Sequence, residues 1–229
     1  DADGIPDRIE RFGIRRADGT IFTKLDGASP CRKTIAVEID YMFDSSTGHG
    51  HQPDTRAIDE VRVALNGAPV PEMADCPYPG AEGGTGIQLI LLPMGTIAEK
   101  PVLNVPGDFL ATKADPQNFA PELLPYVHYS LWVHDYGSGG VANGSSGRAN
   151  GDLPEGDFIV SVGSFNSGSP SVRQQSGTFL HELGHTLGLG HGGGDEVNFK
   201  PNYLSVMNYF YQLHGIGPWS IKYVNPDDD

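Results

Sequence analysis

Basic side chains are scarce in this sequence: 15 Lys and Arg stand against 29 Asp and Glu, a formal net charge of -14. So acidic a surface repels phosphate backbones and anionic lipid headgroups, which argues against nucleic acid and membrane partners. Long apolar runs are missing too. The longest, around Ile87 to Leu92, falls far short of the roughly 20 residues that cross a bilayer. Cysteine is nearly absent, with only Cys31 and Cys76. Few cysteines, many loops and an acidic surface suit an exported chain, so one disulfide between them is expected. The alternatives are two buried thiols, or Cys31 as an inhibitory metal ligand. No internal repeat of useful period is present. The opening DADGIPDRIE reads as the start of a mature or trimmed chain rather than of a reading frame.

What is abundant is glycine (31) and proline (18), clustered between apolar segments, as in a folded domain with long loops. A chain of 229 residues suits one domain, divided into lobes. Lys33 to Phe43 is rich in β-branched and aromatic residues and alternates, so it reads as a strand, followed by a helix between Pro53 and Gly67 with Ile58, Val61 and Leu65 at helical spacing. Thr85 to Pro93 and Tyr126 to Tyr136 read as further strands, Gly137 to Gly156 as a long loop, Asp157 to Phe165 as a fourth strand and Ser171 to Leu187 as a helix. That order predicts an α/β (α+β) fold with one sheet and two major helices.

The chemistry concentrates in HELGHTLGLGHGGGD, His181 to Asp195. On a helix, residues four apart share a face, so His181 and His185 can present two imidazoles to one metal ion, while Phe179, Leu180, Leu183 and Leu187 fall on the opposite side. Gly188 ends the helix in a left-handed turn, and His191 returns as a third ligand. Three neutral nitrogens with an open fourth position describe a catalytic zinc better than a structural one. Glu182 lies beside the ligands, placed to act as general base on a water.

H-E-x-x-H-x-x-G-x-x-H is the motif of the metzincin zinc metalloproteases, and the chain resembles that clan, in a secreted bacterial type. Leu204 to Tyr209, LSVMNY, is similar to the methionine-containing turn beneath the metzincin zinc, with Met207 as its methionine. In the astacin and serralysin branches a tyrosine two residues later binds the zinc or stabilises the tetrahedral intermediate, and Tyr209 stands at that place. The stretch between His191 and Met207 is shorter than in those branches, and Gly192 lacks their marker residue, so the family within the clan stays open. The resemblance implies a twisted, mostly parallel sheet with one antiparallel edge strand, a backing helix, an active-site helix and a small C-terminal lobe. The edge strand, sought within Gly147 to Asp157, would bind extended peptide by strand addition; a disordered loop is the alternative.

Gly192 to Gly194 would carry backbone close beneath the metal or form a flexible loop. His49, His51, His128, His134 and His214 lack ligand-like partners at local spacing, and hydrogen-bonded or solvated histidines are expected ahead of a second zinc at His49 and His51. At the other end, Asp1, Asp3, Asp7 and Glu10 fall on positions 3, 5, 9 and 12 of an EF-hand-type calcium loop when Gly4 is its glycine. A solvated acidic terminus is the alternative. Asp152, Glu155, Asp157 and Asp195 are further calcium candidates, and the terminal NPDDD resembles an acidic linker.

The sequence thus predicts a segment 1–32 with a truncated calcium loop, a catalytic lobe 33–191 and a lobe 192–229 carrying the methionine turn. The expected protein is a secreted, monomeric zinc endopeptidase acting on polypeptides, with Zn2+ and a possible Ca2+. The rival is a non-catalytic extracellular binding module supported by zinc and calcium.

Overall fold

A computed structural model of the chain describes residues 2–73 and 75–215. Its helices are α1 (Asp7–Phe12), α2 (Thr55–Asn66), α3 (Gly107–Ala114), α4 (Val172–Thr186) and α5 (Tyr209–Gln212). The first strands are β1 (Ile14–Arg15), β2 (Ile21–Thr23), β3 (Thr34–Asp44), β4 (His49–Gly50), β5 (Gln88–Leu91) and β6 (Gly95–Ala98). The others are β7 (Leu103–Asn104), β8 (His128–Trp132), β9 (Tyr136–Ser138), β10 (Val141–Ala142), β11 (Gly147–Ala149) and β12 (Phe158–Val160).

Among the described residues the main sheet has seven strands, with β11, β12, β8 and β3 in lateral order. The long β3 pairs in parallel with β8, β5 and β6, and β8 pairs in parallel with β12. The chain is therefore of mixed α/β class with a mostly parallel sheet, as expected. β11 is the antiparallel edge strand, inside the stretch read as loop. β4 adds a second antiparallel strand by hairpin return from β3. Short sheets β1-β2 and β10-β9-β7 lie outside the expected plan of one sheet and two helices, being too short for period-2 alternation to reveal.

β3 is buried nearly throughout because both sheet faces are covered, the usual state of a parallel sheet. Ile35, Val37 and Ile39 face a core with Ile58 and Val61 of α2 and Phe179 and Leu183 of α4. Ala36 and Met42 face the other core, which takes in Tyr129, Leu131 and Phe109. Ile5, Ile9, Ile14 and Leu25 join that second core, so the N-terminal segment is built into it. Cys31 is joined to Cys76, closing a 45-residue separation, which excludes Cys31 as a metal ligand. A loop of that size restricts the unfolded chain by about 4 kcal/mol in the chain-entropy view.

Capping fixes where the two long helices start. Asp54 accepts from the Arg56 amide at α2, and Ser171 with Gln174 forms a reciprocal capping box at α4. Leu187 departs from the predicted apolar face: it is the C-cap of α4 and 45% exposed, because the helical period no longer applies there.

Two acids sit on the β3 face that meets the second core. Asp40 accepts from the Tyr129 hydroxyl at 2.7 Å, while Glu38 has a buried oxygen, Oε2, without a partner. Burial, reinforced by the Asp40 charge, lifts Glu38 from 4.5 to about 7. Its folded value exceeds its unfolded one, so ionisation costs the fold nothing below about pH 4.5 and progressively more up to pH 7. Glu38→Gln is expected to stabilise the chain at pH 8 by on the order of 1 kcal/mol, after allowing for partial solvent screening. Thermal melts of the two chains should converge near pH 4; an undiminished difference there would refute this account.

Candidate metal centre

Helix α4 presents His181 and His185 one turn apart and then stops. Leu189 donates its amide to the Gly184 carbonyl and Gly188 to that of His185, the paired bonds of a Schellman ending. Gly188 takes φ +84°, which a side chain would strain. The reversal brings His191 back, so that one nitrogen from each of His181, His185 and His191 lies within 4.8 Å of the others.

Each ring is oriented through Nδ1. His181 Nδ1 lies 2.8 Å from the Val206 carbonyl and His185 Nδ1 2.8 Å from the Leu189 carbonyl. A carbonyl only accepts, so both Nδ1 atoms carry the proton and both Nε2 atoms keep a lone pair. The two Nε2 atoms stand 3.0 Å apart. His191 Nδ1 is 3.1 Å from Glu196 Oε2, and its buried Nε2 has no protein partner. Burial pushes His181 down to about 4 and also lowers His185, favouring the neutral form that binds metals.

Three convergent imidazoles, one with a buried and unpartnered Nε2, fit a borderline divalent cation such as zinc. Among the described residues no fourth His, Cys, Asp or Glu joins the group.

Glu182 follows the first ligand and is only 4% exposed. Burial raises it to about 8, with Arg148 opposing. A Cβ on Gly147 of β11 would fall 2.6 Å from both Glu182 Cγ and Oε1, so the edge strand presses directly on this carboxyl group. The Gly147 carbonyl accepts from the Tyr136 hydroxyl, and Asn150 donates to the His185 carbonyl. Edge strand and ligand helix are thereby tied together.

Met207 is buried under α4, where a Cβ on Gly184 would come within 2.4 Å of its sulfur. Tyr209 opens α5 with its ring centroid 5.4 Å from that of His181 and 4.4 Å from that of His191, and it is 47% exposed. The expected ligands, Glu182, Met207 and Tyr209 thus occupy one neighbourhood. Two residues beyond that set hold it in place. Gly184 is an unspecified position of the motif. Asn208 caps α5 and donates to the Lys200 and Tyr203 carbonyls, a role that an Asn before a short apolar run could have signalled.

The glycines after His191 divide in use. Gly192 has no room for a Cβ beside Asp195 Oδ1 and the Val197 carbonyl, Gly193 turns with φ +87°, and Gly194 faces open space.

The calcium reading gains no such convergence. Asp1 lies outside the described residues, as do the NPDDD residues. Asp3 accepts from the Ile5 and Thr34 amides, and Asp7 from the Tyr78 hydroxyl at 2.5 Å. Glu10 is buried and raised to about 7, first by burial and then by Asp3 and Asp7. Asp3, Asp7 and Glu10 are not among the described groups whose oxygens and nitrogens meet at ligand distance. Of the other acids, Asp157 pairs with Lys113, Asp152 with Arg148 and Asp195 with Lys200.

No protein-family model matches this chain, and no curated protein matches it either. The functional reading rests on the site.

The Gly184 contact generates a stability prediction. A methyl group there crowds the buried Met207, an overpacking cost of about 1–3 kcal/mol that exceeds the helix-propensity gain of about 1 kcal/mol. Gly184→Ala is expected to lower unfolding stability by about 1 kcal/mol and to weaken zinc binding, read by denaturant titration and chelator competition. Unchanged zinc affinity would show that the methionine turn does not govern ligand placement.

Proposed function

We propose that the chain is a zinc-dependent endopeptidase of metzincin type. The observation that carries this reading is the convergence of the His181, His185 and His191 nitrogens beside a buried glutamate. His181, His185 and His191 would hold the ion through Nε2, consistent with their Nδ1 partners. Held there, zinc would supply Lewis acidity, lowering the pKa of a water and polarising a carbonyl.

The chain's own residues supply the rest. Glu182 accepts the proton of the attacking water and returns it to the leaving nitrogen, so the peptide bond breaks without an acyl intermediate on the protein. Its burial keeps the carboxyl group away from bulk water, and a cation held by the three histidines would offset the upward pull on its pKa. Tyr209, exposed beside two ligand rings, can turn its hydroxyl towards the developing oxyanion. Gly147–Ala149 is a sheet edge next to Glu182, so an extended polypeptide can add to it through main-chain hydrogen bonds.

The disulfide supports an oxidising, extracellular setting. No helix of the described residues is long and apolar enough to cross a membrane. With a formal charge of -14, the chain is expected to act on polypeptide as a monomer, with no nucleic acid partner.

Cleavage of a denatured, fluorescently labelled protein tests the reading. Activity is expected to vanish with a chelator, return with zinc, and fall by about 10²–10⁴-fold in Glu182→Ala with zinc still bound. Tyr209→Phe should reduce kcat by about 10²-fold with little change in KM, the mark of a donor used in the transition state. Full zinc occupancy with no cleavage would favour the non-catalytic binding module instead.

A further inference from the structure

A second group of ligand-type side chains stands apart from helix α4. His49, His51, Glu99 and His134 each offer one nitrogen or oxygen, all within 4.8 Å of one another. Distant sequence segments meet here. His49 opens β4 and His51 follows it, two residues apart on extended backbone and so directed to one side. Glu99 directly follows β6, and His134 comes two residues after β8. Both strands run parallel to β3, so the loops leaving their carboxyl ends open on the side where the β3–β4 hairpin turns back.

The local packing is specific. His51 Nε2 is 3.0 Å from Glu99 Oε1, and His134 Nδ1 is 3.8 Å from the same oxygen. Glu99 Oε2 is buried without a partner. The three imidazoles surround this carboxylate, with ring centroids 4.8, 5.1 and 5.9 Å apart. A Cβ on Gly163 would fall 2.5 Å from both the His51 ring and His134 Cα, so the backbone of the β12–α4 connection closes one side. The His51 backbone amide donates to the Met42 carbonyl at 2.9 Å, anchoring that ligand to β3.

A hydrogen-bonded histidine–carboxylate pair accounts for His51 and Glu99 alone. It gives no reason for two more imidazoles to gather on the same oxygens at the cost of mutual repulsion when protonated. We propose that His49, His51, His134 and Glu99 form a second, structural metal site with an N3O ligand set, taking zinc or a similar borderline divalent cation. Four protein ligands close the tetrahedron, unlike the three at helix α4. Bonds of about 2.0–2.1 Å require ligand atoms about 3.3 Å apart, so the set contracts as the ion seats, led by the exposed His49. The ion would clamp the β3–β4 hairpin to the ends of β6 and β8. This inference does not rest on the peptidase reading.

Two forms of the chain test it: the wild type, and a variant with His181→Ala and His185→Ala in which the helix centre is disabled. Each is stripped with chelator, loaded with zinc or with cobalt(II), and its tightly bound metal counted. Two equivalents are expected for the wild type and one for the variant, whose cobalt form should show the intense visible bands of four-coordinate metal. His49→Asn and Glu99→Gln, introduced into that variant, are each expected to weaken the remaining site by at least roughly tenfold. A folded variant that binds no metal, or whose one equivalent survives His49→Asn combined with His134→Asn, overturns the proposal. If circular dichroism shows the variant to be unfolded, the count passes to the wild type against His49→Asn, whose exposed side chain leaves the core intact. A fall from two equivalents to one then supports the site, and equal counts overturn it.

Discussion

Close backbone approach along helix α4 is the constraint on which the histidine centre depends. At three places a Cβ would collide with a neighbour: Gly147 with Glu182, Gly184 with the Met207 sulfur, and Gly177 with the Gln212 carbonyl, 1.9 Å away. Together they fix the helix between the edge strand β11 and the turn leading into α5. The His181 and His185 rings, mounted on a helix so confined, keep their direction because each rotamer is held by packing and by an Nδ1 bond to a backbone carbonyl. The carbonyl that orients His181 belongs to Val206, next to Met207, so turn and ligand set share one scaffold.

The helix centre was legible in the sequence because its information is local. Four-residue spacing puts His181 and His185 on one face, and glycine at 188 licenses the reversal that returns His191. The α/β class was legible for a similar reason, since β3, α2 and α4 are long enough for their periodicities to show. Short elements were not. β11 spans three residues in a Gly/Asn-rich stretch, and its strand character comes from pairing with β12 rather than from intrinsic preference. Gly184 lies at a position the motif leaves unspecified, and its importance arises only through contact with Met207.

The second histidine group was invisible for the opposite reason. His51, Glu99 and His134 are far apart in sequence and have no mutual spacing to recognise. They meet because parallel strands deliver the loops at their carboxyl ends to the same side of a sheet, the side where α/β folds commonly gather functional groups. Local spacing therefore ranked His49 and His51 as ordinary histidines. The calcium loop illustrates the converse. Its spacing matched a template, yet Asp3 and Asp7 turn to backbone amides and a tyrosine hydroxyl, and Glu10 packs inward beside Ile9.

Buried ionisable groups without protein partners are costly to a fold, and besides Glu10 and Glu38 they occur at both histidine groups. His191 Nε2 at the first and Glu99 Oε2 at the second are both buried and unpaired, while Glu182 is driven to about 8 by burial. Such groups weaken the metal-free chain, since each forgoes hydrogen bonds it would make in water. A bound cation would remove the penalty at His191 and Glu99 and lower it at Glu182, which would link metal affinity and folding stability through the same atoms. The linkage should differ between the sites. At helix α4 the proposed ligands come from one short stretch, and an ion would mainly reinforce a helix end that its capping bonds already define. At the hairpin the ligands come from three distant segments, and an ion there would restrain the sheet as a whole.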